Sequence, residues 1–134
     1  TFVANEAPHK VATLQLATHD VCLVLHLFVM SCFPRALAKL LEDPSLMKVG
    51  VGIGNDALKL RRDFGVCCAG LCDCGQFAGH ALSDGMRPWN LADLCERVLN
   101  GLLPKDPALR LSNWEARRLS CEQIEYAALD AWAS

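Results

Sequence analysis

Two apolar runs, V-A-T-L-Q-L-A at residues 11–17 and V-C-L-V-L-H-L at residues 21–27, are separated only by Thr18, His19 and Asp20. Their apolar, partly β-branched composition predicts two largely buried strands, and so short a link makes them an antiparallel hairpin. The period then changes. Pro34 opens residues 35–42, where Leu37, Leu40 and Leu41 recur at helical spacing, and Pro44 ends that helix. Residues 47–53, M-K-V-G-V-G-I, are strand-like again, and Asn55 or Asp56 is placed to cap a helix running to Phe64. The order β-β-α-β-α requires helices laid on a sheet, which predicts an α/β layered domain with a mixed sheet.

Beyond Gly65 the cysteine-rich stretch to Cys72 holds room for another short strand, followed by a helix over residues 73–82 and a loop through Gly85 and Pro88. Asn90 caps a helix whose Leu91, Leu94, Cys95 and Val98 form one apolar face, ended by Asn100 and Gly101. Residues 102–119 read as a long loop. Ser120 with Gln123 three positions on is a capping box for the final helix, which offers Ile124, Ala127, Ala128 and Ala131 for packing. With 134 residues, the chain is large enough for one core and too small for two ordinary domains, so residues 1–134 are one domain or part of one.

Charge and patterning narrow the function classes. A net charge of -2 removes any global basic footprint, so contact with nucleic acid has to be local or metal-mediated. The apolar stretch over residues 21–33 is interrupted by His26 and Ser31 and falls short of the roughly 20 residues a membrane helix needs, so a soluble, non-membrane protein is expected. No basic segment followed by an apolar one and a cleavage site opens the chain, which points to an intracellular location. The eight cysteines are scattered through apolar stretches and read as reduced, mostly buried thiols. The cluster Cys67, Cys68, Cys72 and Cys74 lacks paired C-x-x-C knuckles, and His80 is its one nearby nitrogen ligand, a poor match to structural zinc.

Candidate chemistry sits at two places. Gly50, Gly52 and Gly54 lie between a strand and a helix, but a dinucleotide fingerprint needs glycine where Asn55 stands, and no Gly-Lys-Ser/Thr is present for a phosphate loop. The glycines are better read as a tight turn from which Asp56 projects at a sheet edge. On the final helix Tyr126 and Asp130 are four residues apart and share a face. A carboxylate beside a phenol suits a site where Asp holds a divalent cation and Tyr orients or deprotonates the attacking water. The plainer reading is a solvated Asp beside a half-buried Tyr. Arg61, Arg62, Lys105, Arg110, Arg117 and Arg118 could contact phosphates, or form a solvated face; Trp89 and Trp114 could stack on bases, or close a core. Asp73, Asp84 and Asp93 read as turn or solvated carboxylates.

Taken together, V-G-V-G-I-G-N-D-A-L-K-L-R-R-D-F-G resembles the second motif of the 3′-5′ exonuclease domains related to ribonuclease D and the Werner-type exonuclease. R-P-W-N-L-A-D-L-C-E-R-V-L-N, S-N-W-E and L-S-C-E-Q-I-E-Y-A-A-L-D-A-W resemble the approach to their third motif in its tyrosine-containing form, and V-A-T-L-Q-L-A resembles the second strand of that family. The resemblance implies a ribonuclease H-like fold, two Mg²⁺ or Mn²⁺ ions, DNA or RNA 3′ ends as partner and substrate, and nucleoside monophosphates as product. Carried over by position, it makes Asp56 and Asp130 metal ligands and Tyr126 the residue that orients the attacking water. It also makes the nucleus a possible location.

One departure accompanies the resemblance. Relatives carry an Asp-x-Glu pair on a first strand upstream of the hairpin; here Glu6 is preceded two positions earlier by Ala4 and reads as a loop glutamate. Residues 1–10 resemble the segment after that motif. The expectation is a piece of a working exonuclease, marginally stable or self-associating when alone, and the alternative is an inactive exonuclease-like module that binds nucleic acid or another partner.

Overall fold

The computed structural model describes residues 9–82, 90–98, 101 and 106–133, with the side chains of 79–82 and 98 outside that description. Glu6, Asp84, Gly85, Pro88, Trp89, Asn100 and Lys105 therefore lie outside the described residues, as does the His80 side chain. The elements run β1 (Leu14–Ala17), β2 (Cys22–Leu25), α1 (Arg35–Glu42), β3 (Lys48–Gly50), α2 (Ile53–Phe64), β4 (Leu71–Asp73), α3 (Cys74–Leu82), α4 (Leu91–Val98), α5 (Pro107–Arg110) and α6 (Cys121–Ala133).

The hairpin forms as expected, antiparallel with Leu14 opposite Leu25 and Ala17 opposite Cys22. Its turn is held by Thr18, whose amide donates to the Val21 carbonyl at 2.8 Å and whose hydroxyl donates to Asp20 Oδ1 at 2.8 Å. Both strands are shorter than the apolar runs. The Val11 amide is taken by Asp63 Oδ2 at 2.8 Å and so joins no ladder. At the other end the chain tightens into a 3₁₀ turn at Leu27–Val29. β3 pairs with β4 in parallel, Lys48 opposite Leu71 and Gly50 opposite Asp73, with α2 as the crossover between them. Antiparallel and parallel pairings are thus both present, arranged among the described residues as two two-stranded sheets.

The core follows from the helix patterns. Leu37 and Leu41, one turn apart on α1, are buried with Leu27, Leu60 of α2 and Val66. Leu14, Leu16 and Leu25 of the hairpin pack on that cluster, and the Phe33 and Phe64 rings meet at 5.0 Å. α6 covers the hairpin, bonded through Cys22 Sγ to the Ala128 carbonyl at 3.5 Å. α4 starts as read: Asn90 Oδ1 accepts from the Asp93 amide at 2.9 Å, and Asp93 Oδ2 accepts from the Asn90 amide at 3.3 Å. Asp73 likewise caps α3, accepting from the Gly75 and Gln76 amides. Asp73 and Asp93 are therefore helix caps, more specific than the solvated carboxylates expected of them.

Three expectations are corrected here. α5 occupies part of the supposed loop 102–119, started by Asp106 capping the Ala108 amide at 2.9 Å with Pro107 in the first turn. On α6 the buried residues are Gln123 and Ala127, while Ile124 is 45% exposed. Of the cysteines Cys95 is buried, Cys32, Cys67 and Cys121 are exposed, and the rest are intermediate; all eight are free thiols.

One anchor ties the hairpin entry to α2. Asp63 accepts from Val11 while Arg62 Nε donates to its other oxygen at 2.6 Å, and the Asp63 side chain is only 5% exposed. The Arg62 bond and then the Val11 amide hold the Asp63 carboxyl below its ordinary range. Asp63→Ala is expected to destabilise the chain by about 1–3 kcal/mol, because the Val11 amide loses its acceptor. Because the carboxyl is depressed in the fold, its stabilisation is complete above the unfolded value of 3.8 and is lost as pH falls through the lower folded value. Urea melts between neutral and acid pH should show the wild-type advantage over Asp63→Ala closing only at the acid end.

Candidate active site

The turn from β3 into α2 sets the first carboxylate. Gly52 sits at the helix N-cap with φ 68°, a left-handed conformation that costs glycine little, and α2 begins at Ile53. The helix therefore starts before Asn55 and Asp56 rather than being capped by either. Gly54, expected to help the turn, lies inside the helix. Asp56 projects from the first helical turn instead of a sheet edge, where the aligned peptide dipoles favour a negative group. Lys59 Nζ approaches its Oδ1 at 4.0 Å.

Asp130 stands near the opposite end of the chain, on α6, yet it lines the same open cleft as Asp56. The cleft has a volume of about 1300 Å³ and is lined by residues of β1, β2, β3, α1, α2 and the C-terminal end of α6. Asp56 is 63% exposed at its side chain, but what it faces is this concavity, and desolvation there raises its carboxyl above the ordinary carboxylate range, with Lys59 acting in the other direction. A divalent cation beside it would reverse that shift, since it favours the charged form.

Tyr126 lies one turn before Asp130 on α6 and is half-buried. Its ring is tilted against the Trp114 indole, centroids 6.2 Å apart. Desolvation, then the neighbouring Asp130 charge, pushes the phenol above its ordinary value, while Arg110 acts in the other direction. At neutral pH Tyr126 is therefore an uncharged hydroxyl that can donate and accept hydrogen bonds, and not a phenolate base.

Trp114 is the residue whose importance the sequence understated. Its indole Nε1 donates to the Arg110 carbonyl at 3.1 Å, and its own carbonyl accepts from His26 Nε2 at 3.0 Å. It is partly buried, with its ring set against Tyr126. Of the basic residues, Arg61, Arg62, Arg110, Arg117 and Arg118 are all exposed, with Arg62 already engaged by Asp63. No group of three or more His, Cys, Asp or Glu side chains suited to a metal occurs among the described residues, the cysteine cluster included. Asp56 and Asp130 are the two carboxylates lining the cleft, and hard oxygen donors of this kind could hold Mg²⁺ or Mn²⁺.

The fold is an α/β domain with Asp56 and Asp130 on one open cleft, and its structural neighbours are ribonuclease H-like exonuclease domains. The solved structure of Brucella melitensis NrnC bound to pGG matches 90% of this chain and 57% of that one with a TM-score of 0.76 at 25% identity. The EXD2 exonuclease domain soaked in Mn and dGMP matches 95% of this chain and 67% of that one with a TM-score of 0.50 at 32% identity. A 3′-5′ exonuclease of Arabidopsis thaliana is 41% identical over 135 residues, covering all of this chain, which spans 46% of the relative's length. The sequence profile of the 3′-5′ exonuclease family matches residues 5–134, and the chain belongs to that family.

Proposed function

We propose that this chain, as one domain or part of one, carries out metal-dependent 3′-5′ exonucleolytic hydrolysis of nucleic-acid phosphodiesters, releasing nucleoside monophosphates. The observation that supports this reading is that Asp56 and Asp130, from α2 and α6, both line one open cleft. Asp56 and Asp130 would hold divalent cations, Mn²⁺ or Mg²⁺, a reading supported by the related EXD2 domain soaked in Mn. When bound, a pair of such ions neutralises the charge that develops on the phosphoryl oxygens. A two-ion site needs more oxygen ligands than two carboxylates, and substrate and water oxygens would supply some of them. Tyr126, uncharged at neutral pH, orients the attacking water by hydrogen bonding and leaves its proton to another acceptor.

The substrate is the 3′ end of a DNA or RNA strand. No described helix is long and apolar enough to cross a membrane, and the proposed location is intracellular, with the nucleus the compartment the family resemblance implies. The test is digestion of a 5′-labelled single strand, as DNA and as RNA, with Mn²⁺ or with EDTA. A ladder shortening from the 3′ end in Mn²⁺ and abolished by EDTA is the expected result. Salt-sensitive binding of the strand with no ladder would instead make this chain a non-catalytic nucleic-acid-binding module.

A further inference from the structure

Gln123 is a buried polar side chain, 7% exposed, in the middle of the contact between α6 and the segment before it. Its Oε1 accepts from the Ser120 amide at 2.9 Å, the half of the capping box that starts the helix. Its Nε2 does something a cap does not require. It donates to Ser112 Oγ at 2.9 Å and to the Asn113 carbonyl at 3.2 Å, tying the segment after α5 down onto α6.

The next residue is Trp114, whose indole leans on Tyr126. Gln123 and Tyr126 are three positions apart on one helix and so face the same side. The segment is thus fixed at four points: Ser112 and Asn113 by Gln123, the Trp114 carbonyl by His26, and the indole by the Arg110 carbonyl. With the indole held, the Tyr126 ring has one wall it cannot displace. A group that acts by orienting a water must be held to within about 0.5 Å, and a tyrosine on an otherwise half-open helix face does not meet that by itself.

We infer that Gln123 is a positioning residue: through its two amide bonds to Ser112 and Asn113 it sets Trp114 against Tyr126 and so fixes the phenol. The catalytic part of this inference rests on the role proposed for Tyr126; the positional part does not.

Tyr126 is the chain's single tyrosine, so incorporation of 3-fluorotyrosine gives one ¹⁹F resonance that reports its surroundings without any turnover. Gln123→Glu separates the two jobs of the side chain, since a carboxylate still accepts from Ser120 but cannot donate to Ser112 or Asn113. The expected result is a helical, folded Gln123→Glu chain by circular dichroism whose resonance moves towards that of free fluorotyrosine. Trp114→Leu should move it the same way, and Ser120→Ala, which weakens only the cap, should leave it in place. An unmoved resonance in Gln123→Glu, with Trp114→Leu shifted, would remove Gln123 from the role; an unmoved resonance in Trp114→Leu would remove the indole wall itself. Should Gln123→Glu fail to fold, Ser112→Ala with Trp114→Phe carries the same comparison, the first loosening the tie and the second keeping an aromatic wall. In the exonuclease assay Gln123→Glu is expected to lower kcat by about 10- to 100-fold with KM little changed. A shifted resonance with kcat unaltered would leave the positioning intact and overturn the water-orienting role of Tyr126.

Discussion

Asp130→Asn is expected to lower Mn²⁺-dependent shortening of a labelled strand by about 10³-fold, equivalent to about 4 kcal/mol of transition-state stabilisation. The substitution keeps the size and planar shape of the side chain and removes only its charge, so α6 and its contact with the hairpin should survive. Asp56→Asn should act in the same direction from α2, where partial desolvation raises the carboxyl and a cation would favour its charged form. Because both groups would serve one metal site and its single reaction, the double variant should cost scarcely more than either single one. Mn²⁺ binding can be read independently of turnover from the loss of the free-ion electron paramagnetic resonance signal, and each substitution should weaken it. Unchanged Mn²⁺ affinity in both variants would show that the cleft carboxylates are not ligands, whatever the nuclease assay reports.

Elements announced by side-chain pattern were legible in the sequence. The hairpin, α1 between its prolines, and the caps at Asn90 and Ser120 depend on contacts within a few residues, and these are what spacing encodes. Events decided by the backbone or by distant partners were not. β3 ends early because Gly52 turns left-handed, and nothing in V-G-V-G-I-G distinguishes which glycine will do so. Val11 leaves the expected strand because Asp63, remote in sequence, takes its amide. α5 was hidden in a stretch too short for periodicity, although Asp106-Pro107 is a helix start in its own right. On α6 a polar Gln123 is buried and an apolar Ile124 is exposed, an inversion that hydrophobicity cannot anticipate because Gln123 is satisfied by Ser112, Asn113 and Ser120. The site divides the same way. Tyr126 and Asp130 were visible as a helical pair, whereas the placing of Asp130 along one cleft with Asp56, a cleft that Tyr126 itself does not line, is a property of how α2 and α6 sit around the two sheets.

The largest effect on stability is expected at a residue with no chemistry. Gly70 has φ 66° and immediately precedes β4. A methyl group there would lie 2.7 Å from the Leu46 carbonyl oxygen and 3.1 Å from that of Pro44, both backbone atoms without a rotamer to move. Those carbonyls belong to the turn between α1 and β3, which Lys48 Nζ also braces by donating to the Leu40 and Asp43 carbonyls. The Gly70 carbonyl in turn accepts from the Lys48 amide at 2.8 Å, the bond that opens the parallel pairing. Displacing this turn therefore displaces β3, and with it the Gly52 turn that aims Asp56. Gly52 and Gly65 provide the control, having φ 68° with open space where a Cβ would go. Gly65→Ala should cost only the left-handed strain of about 1–2 kcal/mol. Gly70→Ala adds the backbone clash and should cost about 3–5 kcal/mol, enough to lower the melting temperature by about 10 °C or more. Equal melts for the two variants would mean that the turn at Leu46 yields freely, and that β3 is held in place by its helix rather than by its loop.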